Sequence, residues 1–436
     1  MTGAPIMLRS AALLALASIA ATAQTSPQVT EFTVAGIRVI HKRVTANDVV
    51  AARLFLKGGA GALTRDKAGI ENVLAQSATH GTQKYSKDAF TELATSTGTN
   101  VSGGVNIDFT WFAMQAVRQH LNDAWDLFTQ AVVHPTFPDA EVQQVKEQII
   151  NDLKQRTDDP DSYLNLIADS LLYAGHPYAA DVQGSEATVS RLTRADLASW
   201  HQRRLTKANL LLVVVGNVTQ AELSPKIAAS FGSLPSSGGA SPTPPALVST
   251  KSTVSVIERS LPTNYIIGLF PAPGRASPDY AAVQLATRVL SERLFEEVRT
   301  KRNLTYAVGA GISGALRSKG NLYVTAVEPD TTVAVIFSEV RRLQRQPVPR
   351  DLLQQTINTI ITSYWMGQET NMGQATSLGQ WELTGGGWRN ARAYVDKMRM
   401  VTPADIQRAA AQVYKNARFV VIGDPKKIKQ SRFTSF

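Results

Sequence analysis

Two short segments decide the organisation of this chain. The segment Leu192-Thr-Arg-Ala-Asp196-Leu197 is echoed in the second half of the chain by Val401-Thr-Pro-Ala-Asp405-Ile406. Each segment opens a short helical stretch that runs into an apolar strand, at residues 210–215 in the first case and at residues 419–422 in the second. Such a long-period recurrence indicates two copies of one structural unit.

An uncharged segment separates the two copies. From Pro235 to Pro245 the chain reads Pro-Ser-Ser-Gly-Gly-Ala-Ser-Pro-Thr-Pro-Pro, which offers almost nothing to bury and is typical of an interdomain linker. We therefore predict an N-terminal domain over residues 24–234, a linker over residues 235–250 and a C-terminal domain over residues 251–436.

Strands and helices alternate in mixed order within each copy. Apolar and helical patterns predict strands at residues 51–56 and 265–270 and helices at residues 139–156, 162–173 and 351–366. Ser277 followed by Pro278 further predicts a helix that begins at the proline, with the serine as its N-cap. The mixed order favours an α+β fold, with two homologous domains in tandem, each a mostly antiparallel sheet packed with helices.

The composition is that of an ordinary globular protein. Of the 436 residues 44% are hydrophobic and 18% are charged, which allows a large core. The 45 Lys and Arg residues against 35 Asp and Glu give a net charge of +10, but the basic residues are scattered. A solvated surface explains them better than nucleic-acid binding does, and a polyanion-binding envelope protein is a distant alternative. The absence of cysteine excludes disulfides, thiolate metal sites and cysteine nucleophiles.

Residues 1–23 carry the pattern of a signal peptide. Arg9 precedes an apolar run at residues 11–20, and Ala21-Thr22-Ala23 fits a small-residue cleavage site before Gln24. The run is shorter than the roughly 20 apolar residues that cross a bilayer. We therefore predict export without stable membrane insertion, to the periplasm if the source is a Gram-negative bacterium.

A helical stretch in the first domain carries the clearest functional signal. It reads Ala68-Gly-Ile-Glu-Asn72-Val-Leu-Ala75-Gln76-Ser-Ala-Thr-His-Gly-Thr82 and is followed by Lys84-Tyr-Ser86. This frame resembles the zinc-motif helix of the pitrilysin/insulinase-type (inverted zincin) metallopeptidases, in which His-x-x-Glu-His follows a glycine and Gly-Thr closes the helix. In that register Asn72 and Gln76 stand at the two histidine positions, and Ala75 stands at the general-base glutamate.

The resemblance implies a third zinc-site position. In the family a zinc-binding carboxylate precedes an Asp-Asp-Pro sequence, and here Asp158-Asp159-Pro160 places Asp152 at that position. Asn and Gln amides are neutral, weak zinc ligands, and the alanine has no proton to transfer. The six histidines are widely separated in the sequence. We therefore expect this chain to bind no metal.

A second motif lies in the C-terminal domain. The sequence Leu290-Ser-Glu-Arg-Leu-Phe295 runs on to Arg299, and Tyr306 follows. The same family has a Leu-Ser-x-Arg-Leu-Phe helix there that ends in Arg, with Tyr at the same spacing. Such a pair can aim a guanidinium and a phenol at one peptide carbonyl and stabilise an oxyanion. The alternative is structural: Arg299 caps a helix C-terminus and Tyr306 is half buried in a strand.

The two motifs resemble the short-subunit branch of the family, in which the active site forms between two chains of a clam-like dimer. One chain brings the zinc and the other brings the Arg/Tyr pair. We therefore predict the zinc-less subunit of an exported heterodimeric zinc metallopeptidase, inactive alone and without a cofactor of its own. Its homologous partner subunit is expected to hold the zinc.

Peptides or unfolded segments are the expected substrate, and no nucleic acid is expected. A peptide that binds as an added strand suits an antiparallel sheet. Residues 97–108 lie where the family places its substrate-side edge strand, and their glycines would let a second backbone approach closely. The main alternative is a catalytically silent structural or chaperone-like peptide-binding protein of the same fold.

The signal sequence generates the first testable prediction. The exported chain should begin close to Gln24, because a short apolar run and a small-residue site precede this position. N-terminal sequencing of the protein recovered from the cell envelope measures this. Recovery of the full-length chain from the cytosol would contradict it.

Overall fold

The computed structural model of the chain describes residues 28–238 and 243–436. The predicted signal peptide lies outside these residues, as do residues 239–242 of the predicted linker. The described residues form eleven strands and fifteen α-helices, numbered here in chain order.

The strands are β1 (Val29–Val34), β2 (Ile37–Arg43), β3 (Val49–Lys57), β4 (Asn100–Val105), β5 (Phe109–Val117), β6 (Leu210–Gly216), β7 (Thr253–Glu258), β8 (Asn264–Pro271), β9 (Val308–Ile312), β10 (Lys319–Ala326) and β11 (Arg418–Gly423). The helices are α1 (Ile70–Ser77), α2 (Lys87–Ser96), α3 (Leu121–Val133), α4 (Asp139–Asp158), α5 (Pro160–Leu172), α6 (Glu186–Val189), α7 (Arg194–Arg204), α8 (Gln220–Phe231), α9 (Tyr280–Leu294), α10 (Pro329–Arg345), α11 (Arg350–Met366), α12 (Asn371–Thr384), α13 (Asn390–Met400), α14 (Pro403–Val413) and α15 (Gln430–Phe433).

Each half of the chain builds one sheet. The first sheet has the strand order β1-β2-β6-β3-β5-β4, and the second has the order β7-β11-β8-β10-β9. All neighbouring strands are antiparallel except the pairs β2–β6 and β7–β11, which are parallel. Five strands of the first sheet therefore repeat the order of the second, with the parallel pair at the same place. The predicted α+β fold of two tandem, mostly antiparallel domains is confirmed.

The echoed segments open equivalent helices with the same cap. The Thr193 hydroxyl accepts a hydrogen bond from the Asp196 N–H, and the Asp196 carboxylate accepts one from the Thr193 N–H, at the start of α7. Thr402 and Asp405 repeat this reciprocal pair at the start of α14. The short sequence recurs because each helix needs its first backbone donors satisfied.

The predicted start of α9 is wrong by two residues. The helix begins at Tyr280, not at Pro278. The Ser277 carbonyl accepts a hydrogen bond from the Tyr280 N–H at 3.1 Å, and its hydroxyl accepts one from the Asp279 N–H at 3.3 Å. Ser277 thus forms a turn before the helix, because a serine hydroxyl can bond its near backbone in non-helical conformations too.

One helix of each half packs on the sheet of the other half. From the first half, α5 covers β8 and β11, where Leu164, Ala168 and Leu172 meet Ile267 and Val420. From the second half, α12 covers β3 and β6. The remaining large helices cover the opposite face of their own sheet. Both faces of the central strands are therefore buried, which is why β6 is apolar at every position before its terminal glycine.

The seat of α12 on the first sheet combines apolar packing with polar contacts. Ala375 and Leu378 pack against Phe55 and its neighbours. The Asn371 Nδ2 group donates a hydrogen bond to the Val49 carbonyl at 2.7 Å. These contacts cross between residues that are more than 300 positions apart in sequence, so they join the two halves directly.

Within 28–238 and 243–436, none of the helices combines the length and the apolar character that a bilayer span requires.

The seat of α12 generates a stability prediction. A Cβ atom at Gly379 would lie 2.1 Å from Phe55 Cε2, and this ring is fully buried. Replacement Gly379→Val should therefore lower the free energy of unfolding by about 1–3 kcal/mol, the usual cost of overpacking. Valine and glycine both have low helix propensity, so packing dominates the change. Urea unfolding measures it.

Gly367 provides the matched control. This residue ends α11, and the nearest atoms to a Cβ there are 3.5 Å away. Gly367→Val should change the free energy of unfolding by less than about 0.5 kcal/mol, as surface substitutions usually do. Equal stabilities for the two variants would contradict the close contact between α12 and the first sheet.

Candidate functional site

The Arg299 guanidinium lies between two aromatic rings at the end of a helix. Beyond α9 the helix continues as a π-helical segment, Phe295–Thr300. The guanidinium carbon of Arg299 is 4.8 Å from the ring centroid of Phe295 and 4.5 Å from that of Tyr306. Phe295 is 46% exposed and Tyr306 is 81% exposed. The structure therefore brings Arg299 and Tyr306 together at the surface.

Tyr306 lies in a loop, two residues before β9. It is neither in the strand nor half buried, so the structural alternative for this residue is wrong. The loop is held by its neighbours: the Thr305 hydroxyl bonds the Ala307 carbonyl at 3.0 Å and the Thr325 hydroxyl at 3.1 Å. The buried threonine fixes the backbone on both sides of an exposed phenol.

The π-helical segment sets the direction of Arg299. The Lys301 N–H donates to the Glu296 carbonyl at 2.9 Å, which is the wider spacing of this helix type. The chain then reverses at Asn303, whose φ of 49° lies in the left-handed region that Asn tolerates better than most residues. Such π-helical segments are frequent at functional sites.

Acidic side chains next to Arg299 are neutralised by other residues. Glu297 forms ion pairs with Lys301 at 2.7 Å and with Arg302 at 2.6 Å. Hydrogen bonds from Lys301 and then Arg302 lower the pKa of Glu297 to about 2. Throughout the described ranges no carboxylate lies within ion-pair distance of Arg299. The Arg299 charge is therefore available to an external acceptor.

The Arg/Tyr pair lies on the wall of a surface groove of about 580 Å³. Residues of β9 and Tyr323 of β10 form part of the groove, and α5 of the other half contributes Asp161 and Asn165. The Tyr323 hydroxyl donates a hydrogen bond to the Asp161 carboxylate. The groove is thus built from both halves, and its polar floor was not apparent in the sequence.

Amide hydrogen bonds occupy the degenerate zinc frame on α1. Asn72 is buried; its Nδ2 group donates to Gln183 Oε1 at 3.0 Å, and its Oδ1 atom accepts from Gln76 Nε2 at 2.9 Å. Ala75 is buried on the same helix. Asp152 is exposed on α4 and accepts a hydrogen bond from Gln148 Nε2 at 2.9 Å.

The structure therefore separates the predicted site residues into two groups. Helices α1 and α4 pack against each other, but no hydrogen bond within the described ranges joins Asp152 to Asn72 or Gln76. Likewise, in this part of the chain no polar contact connects these positions to Arg299 or Tyr306.

Sequence reasoning missed Glu71, which lies beside the frame. Its carboxylate is buried and accepts hydrogen bonds from the Thr110 hydroxyl at 2.5 Å and the Trp200 indole at 3.2 Å. Arg204 lies 3.6 Å away as an ion-pair partner. Burial raises the pKa of Glu71, while these partners oppose the shift. Glu71 anchors α1 to β5 and α7; an acid on an apolar helix was the available signal.

The segment 97–108 contains the edge strand β4, which among the described strands pairs only with β5. The glycines of this strand serve contacts within the chain. A Cβ atom at Gly103 would lie 2.7 Å from the Ala75 carbonyl oxygen. The absence of a side chain at Gly103 therefore allows the backbone of α1 to approach β4 closely. Gly104 makes room for the Trp111 ring in the same way.

Comparison with known proteins identifies the family. The profile described as "Insulinase (Peptidase family M16)" matches residues 38–184, and the profile described as "Peptidase M16 inactive domain" matches residues 191–360. The chain belongs to the M16 peptidase family. The second match carries the Arg/Tyr pair, and the first carries the degenerate frame.

Relatives of known sequence or structure agree with this assignment. The M16 chain is 24% identical over 344 residues to an uncharacterised zinc protease of Mycobacterium bovis, covering 74% of this chain and 76% of the relative. It is 23% identical over 319 residues to cytochrome b-c1 complex subunit 1 of Bos taurus mitochondria, covering 72% and 64%. It shares its fold with a peptidase M16 inactive domain from Pseudomonas fluorescens, with a TM-score of 0.84, 19% identity, and 91% and 98% coverage.

The residues of the M16 frame do not fit a zinc ion in this chain. Zinc in proteins takes imidazole, thiolate or carboxylate ligands, whereas Asn72 and Gln76 present amides that already bond each other. Nowhere in residues 28–238 or 243–436 do three or more His, Asp or Glu side chains form a group that could hold a metal ion.

The amide frame generates a metal prediction. The purified wild-type chain should hold no stoichiometric zinc, whereas the double variant Asn72→His/Gln76→His should bind it. Two imidazoles four residues apart on one face of α1, with the Asp152 carboxylate on the neighbouring helix α4, make a three-ligand set. Elemental analysis after incubation with zinc and desalting measures both.

Asp152 provides the control for this prediction. Addition of Asp152→Ala to the double variant should weaken zinc binding, because it removes the third ligand of the assigned register. One tightly bound zinc per wild-type chain would contradict the assignment of the frame, as would equal zinc binding with and without Asp152.

Proposed function

We propose that this chain is the zinc-less subunit of an exported heterodimeric M16 peptidase. In this proposal it supplies Arg299 and Tyr306 to an active site that a homologous, zinc-bearing subunit completes. The observation that carries the proposal is the Arg299 guanidinium. It has no acidic partner in the described part of the chain, stacks between two exposed rings and lines an open groove.

The chemistry of the pair suits a peptide carbonyl. An arginine stays protonated at all physiological pH values and offers several N–H donors in one plane, and a phenol adds one O–H donor. Donors fixed in advance stabilise the negative charge that develops on the carbonyl oxygen during hydrolysis. The partner subunit would supply the metal and the general base, so the part of this chain is limited to holding and polarising the carbonyl.

Peptides or unfolded segments are the substrate class that we propose. A groove that is open at the surface and bordered by the short strand β9 accepts an extended chain more readily than a folded domain. The edge strand β4 on the other sheet offers a second place for main-chain hydrogen bonds. Main-chain recognition would tolerate many side-chain sequences.

A catalytically silent structural role is the second candidate. The similarity to cytochrome b-c1 complex subunit 1, whose name describes a part of a larger complex, favours it. In that case the fold would serve assembly or peptide binding, and the Arg/Tyr pair would be only a surface feature. The two candidates differ in what substitution of the pair does to catalysis.

Substitution of the pair in an assembled complex separates these candidates. This chain is combined with the M16 chain that co-purifies with it and carries an intact His-x-x-Glu-His. The pair of chains should cleave peptides that neither cleaves alone. Arg299→Ala or Tyr306→Phe should lower kcat by about 100- to 1000-fold, the usual effect of losing one oxyanion donor. Steady-state kinetics on a fluorogenic peptide measures this.

Arg302→Ala is the matched control. Arg302 lies on the same turn of chain, but its guanidinium is paired with Glu297. Lys301 continues to pair with Glu297 when Arg302 is lost, so kcat should stay close to the wild-type value. Zinc content and complex mass should be the same for all variants. Wild-type rates from both Arg299→Ala and Tyr306→Phe, in an active complex, would remove the catalytic role and leave the structural candidate.

A further inference from the structure

A second cavity, of about 550 Å³, lies among the helices of the C-terminal half. It is lined by residues of α9, α11, α12 and α13, at the place where α12 leaves its own half to cover the first sheet. None of its lining residues lines the groove that contains Arg299. The volume is in the range of small-molecule sites in proteins.

A continuous aromatic wall forms one side of this cavity. The ring centroid of Tyr394 is 5.2 Å from that of Tyr364, 5.2 Å from that of Trp381 and 6.4 Å from that of Tyr280. The Tyr364 hydroxyl donates to the Ala391 carbonyl at 2.6 Å. The Tyr364 ring is therefore held in place, and all four rings line the cavity.

Positive charge enters the cavity without a lining carboxylate. The Arg275 guanidinium lies 5.9 Å from the Trp381 ring centroid, and its Nε group donates to the Gly314 carbonyl at 2.8 Å. Among the residues that the structure describes, no Asp or Glu lines the cavity. The Asp108 carboxylate interacts electrostatically with Arg275 but lies outside the cavity lining. It accepts hydrogen bonds from the Tyr178 hydroxyl and the Leu316 N–H.

Two further guanidinium groups lie near this positive charge, one of them behind the cavity wall. Arg288 lines its edge and is paired with Glu292 at 2.8 Å. Arg53, from the first sheet, donates to the hydroxyl of the lining residue Thr376 at 2.8 Å and stacks 4.0 Å from the Trp111 ring centroid. The positive potential therefore comes from both halves of the chain.

Amide donors add to this potential. Gln284 accepts a hydrogen bond from the Tyr394 hydroxyl through its Oε1 atom, which leaves its Nε2 group as a donor. The side-chain amide of Gln368 lies within hydrogen-bonding reach of the Tyr364 hydroxyl. Both residues line the cavity. Gln284 thus places an N–H donor at the cavity wall, in addition to the Arg275 guanidinium.

We propose that this cavity binds a small organic carboxylate with a flat apolar body, with the carboxylate on Arg275 and the body against the aromatic wall. A guanidinium fork matches the two oxygens of a carboxylate. A cation has no carboxylate to bind here, and a bare inorganic anion would leave the aromatic wall without a contact. The carboxylate could belong to a free metabolite or to the C-terminal residue of a peptide, and the experiment separates these sources.

Matched acid and amide probes test the proposal on the full mature chain. N-acetyl-L-phenylalanine should bind saturably in titration calorimetry and raise the Tm. Its neutral amide should bind about 10- to 100-fold more weakly, because a hydrogen-bonded charge is lost. The tripeptide Gly-Gly-Phe with a free C-terminus, compared with its amide, tests the peptide source. Binding of the tripeptide as well as the single residue assigns the site to peptide C-termini, and binding of the single residue alone assigns it to free small acids.

Variants locate the site. Arg275→Gln should weaken binding of the acid by the same factor of about 10–100, whereas Arg288→Gln should weaken it far less, because the Arg288 charge is already paired with Glu292. The acid and amide comparison on the wild-type chain stands even if Arg275→Gln fails to fold. Equal binding of acid and amide, no saturable binding of either acid, or acid binding that survives Arg275→Gln would each overturn the proposal.

Discussion

The exchange of one helix between the halves is the constraint on which the rest of the structure depends. Each sheet has an apolar face that its own helices leave uncovered, and α5 and α12 cover these faces reciprocally. Burial of apolar surface is the dominant stabilising contribution in folding, so neither half could be stable in this form without a helix from the other. The linker connects the halves covalently, but this exchange sets how they are placed.

The groove and the second cavity both follow from that exchange. Asp161 and Asn165 reach the groove because α5 lies on the second sheet. Arg53 reaches the wall of the second cavity because α12 lies on the first sheet and brings Thr376 to it. In both places the structure puts guanidinium groups next to aromatic rings and leaves acceptors to be supplied from outside. Such stacking favours arginine over lysine, because only the planar guanidinium can stack and donate together.

The contrast between the two motifs has a physical reading. On α1 the family's zinc frame is closed by hydrogen bonds between Asn72, Gln76 and Gln183, so its polar groups are satisfied within the chain. At the end of the π-helical segment, Lys301 and Arg302 form ion pairs with the nearby Glu297. Among the described residues Arg299 therefore has no acidic partner. The α1 frame therefore makes hydrogen bonds that support the fold, whereas Arg299 lies in a groove that is open to solvent. This asymmetry agrees with a subunit that has no metal of its own and still presents a binding surface.

The sequence by itself determined the features that depend on near neighbours along the chain. The capping pairs at Thr193 and Thr402 and the apolar run of β6 were sufficient to predict the tandem α+β fold, and the seven-residue spacing of Arg299 and Tyr306 was sufficient to predict that these two side chains lie together. The tertiary structure decided the turn at Ser277 and the partners of Glu71. It also decided which sheet α5 and α12 cover, and with that both cavities. Apart from the turn at Ser277, whose hydrogen bonds are local, these features depend on contacts between residues far apart in sequence. The free energy of such contacts comes from packing and desolvation in the folded state, which local spacing does not encode.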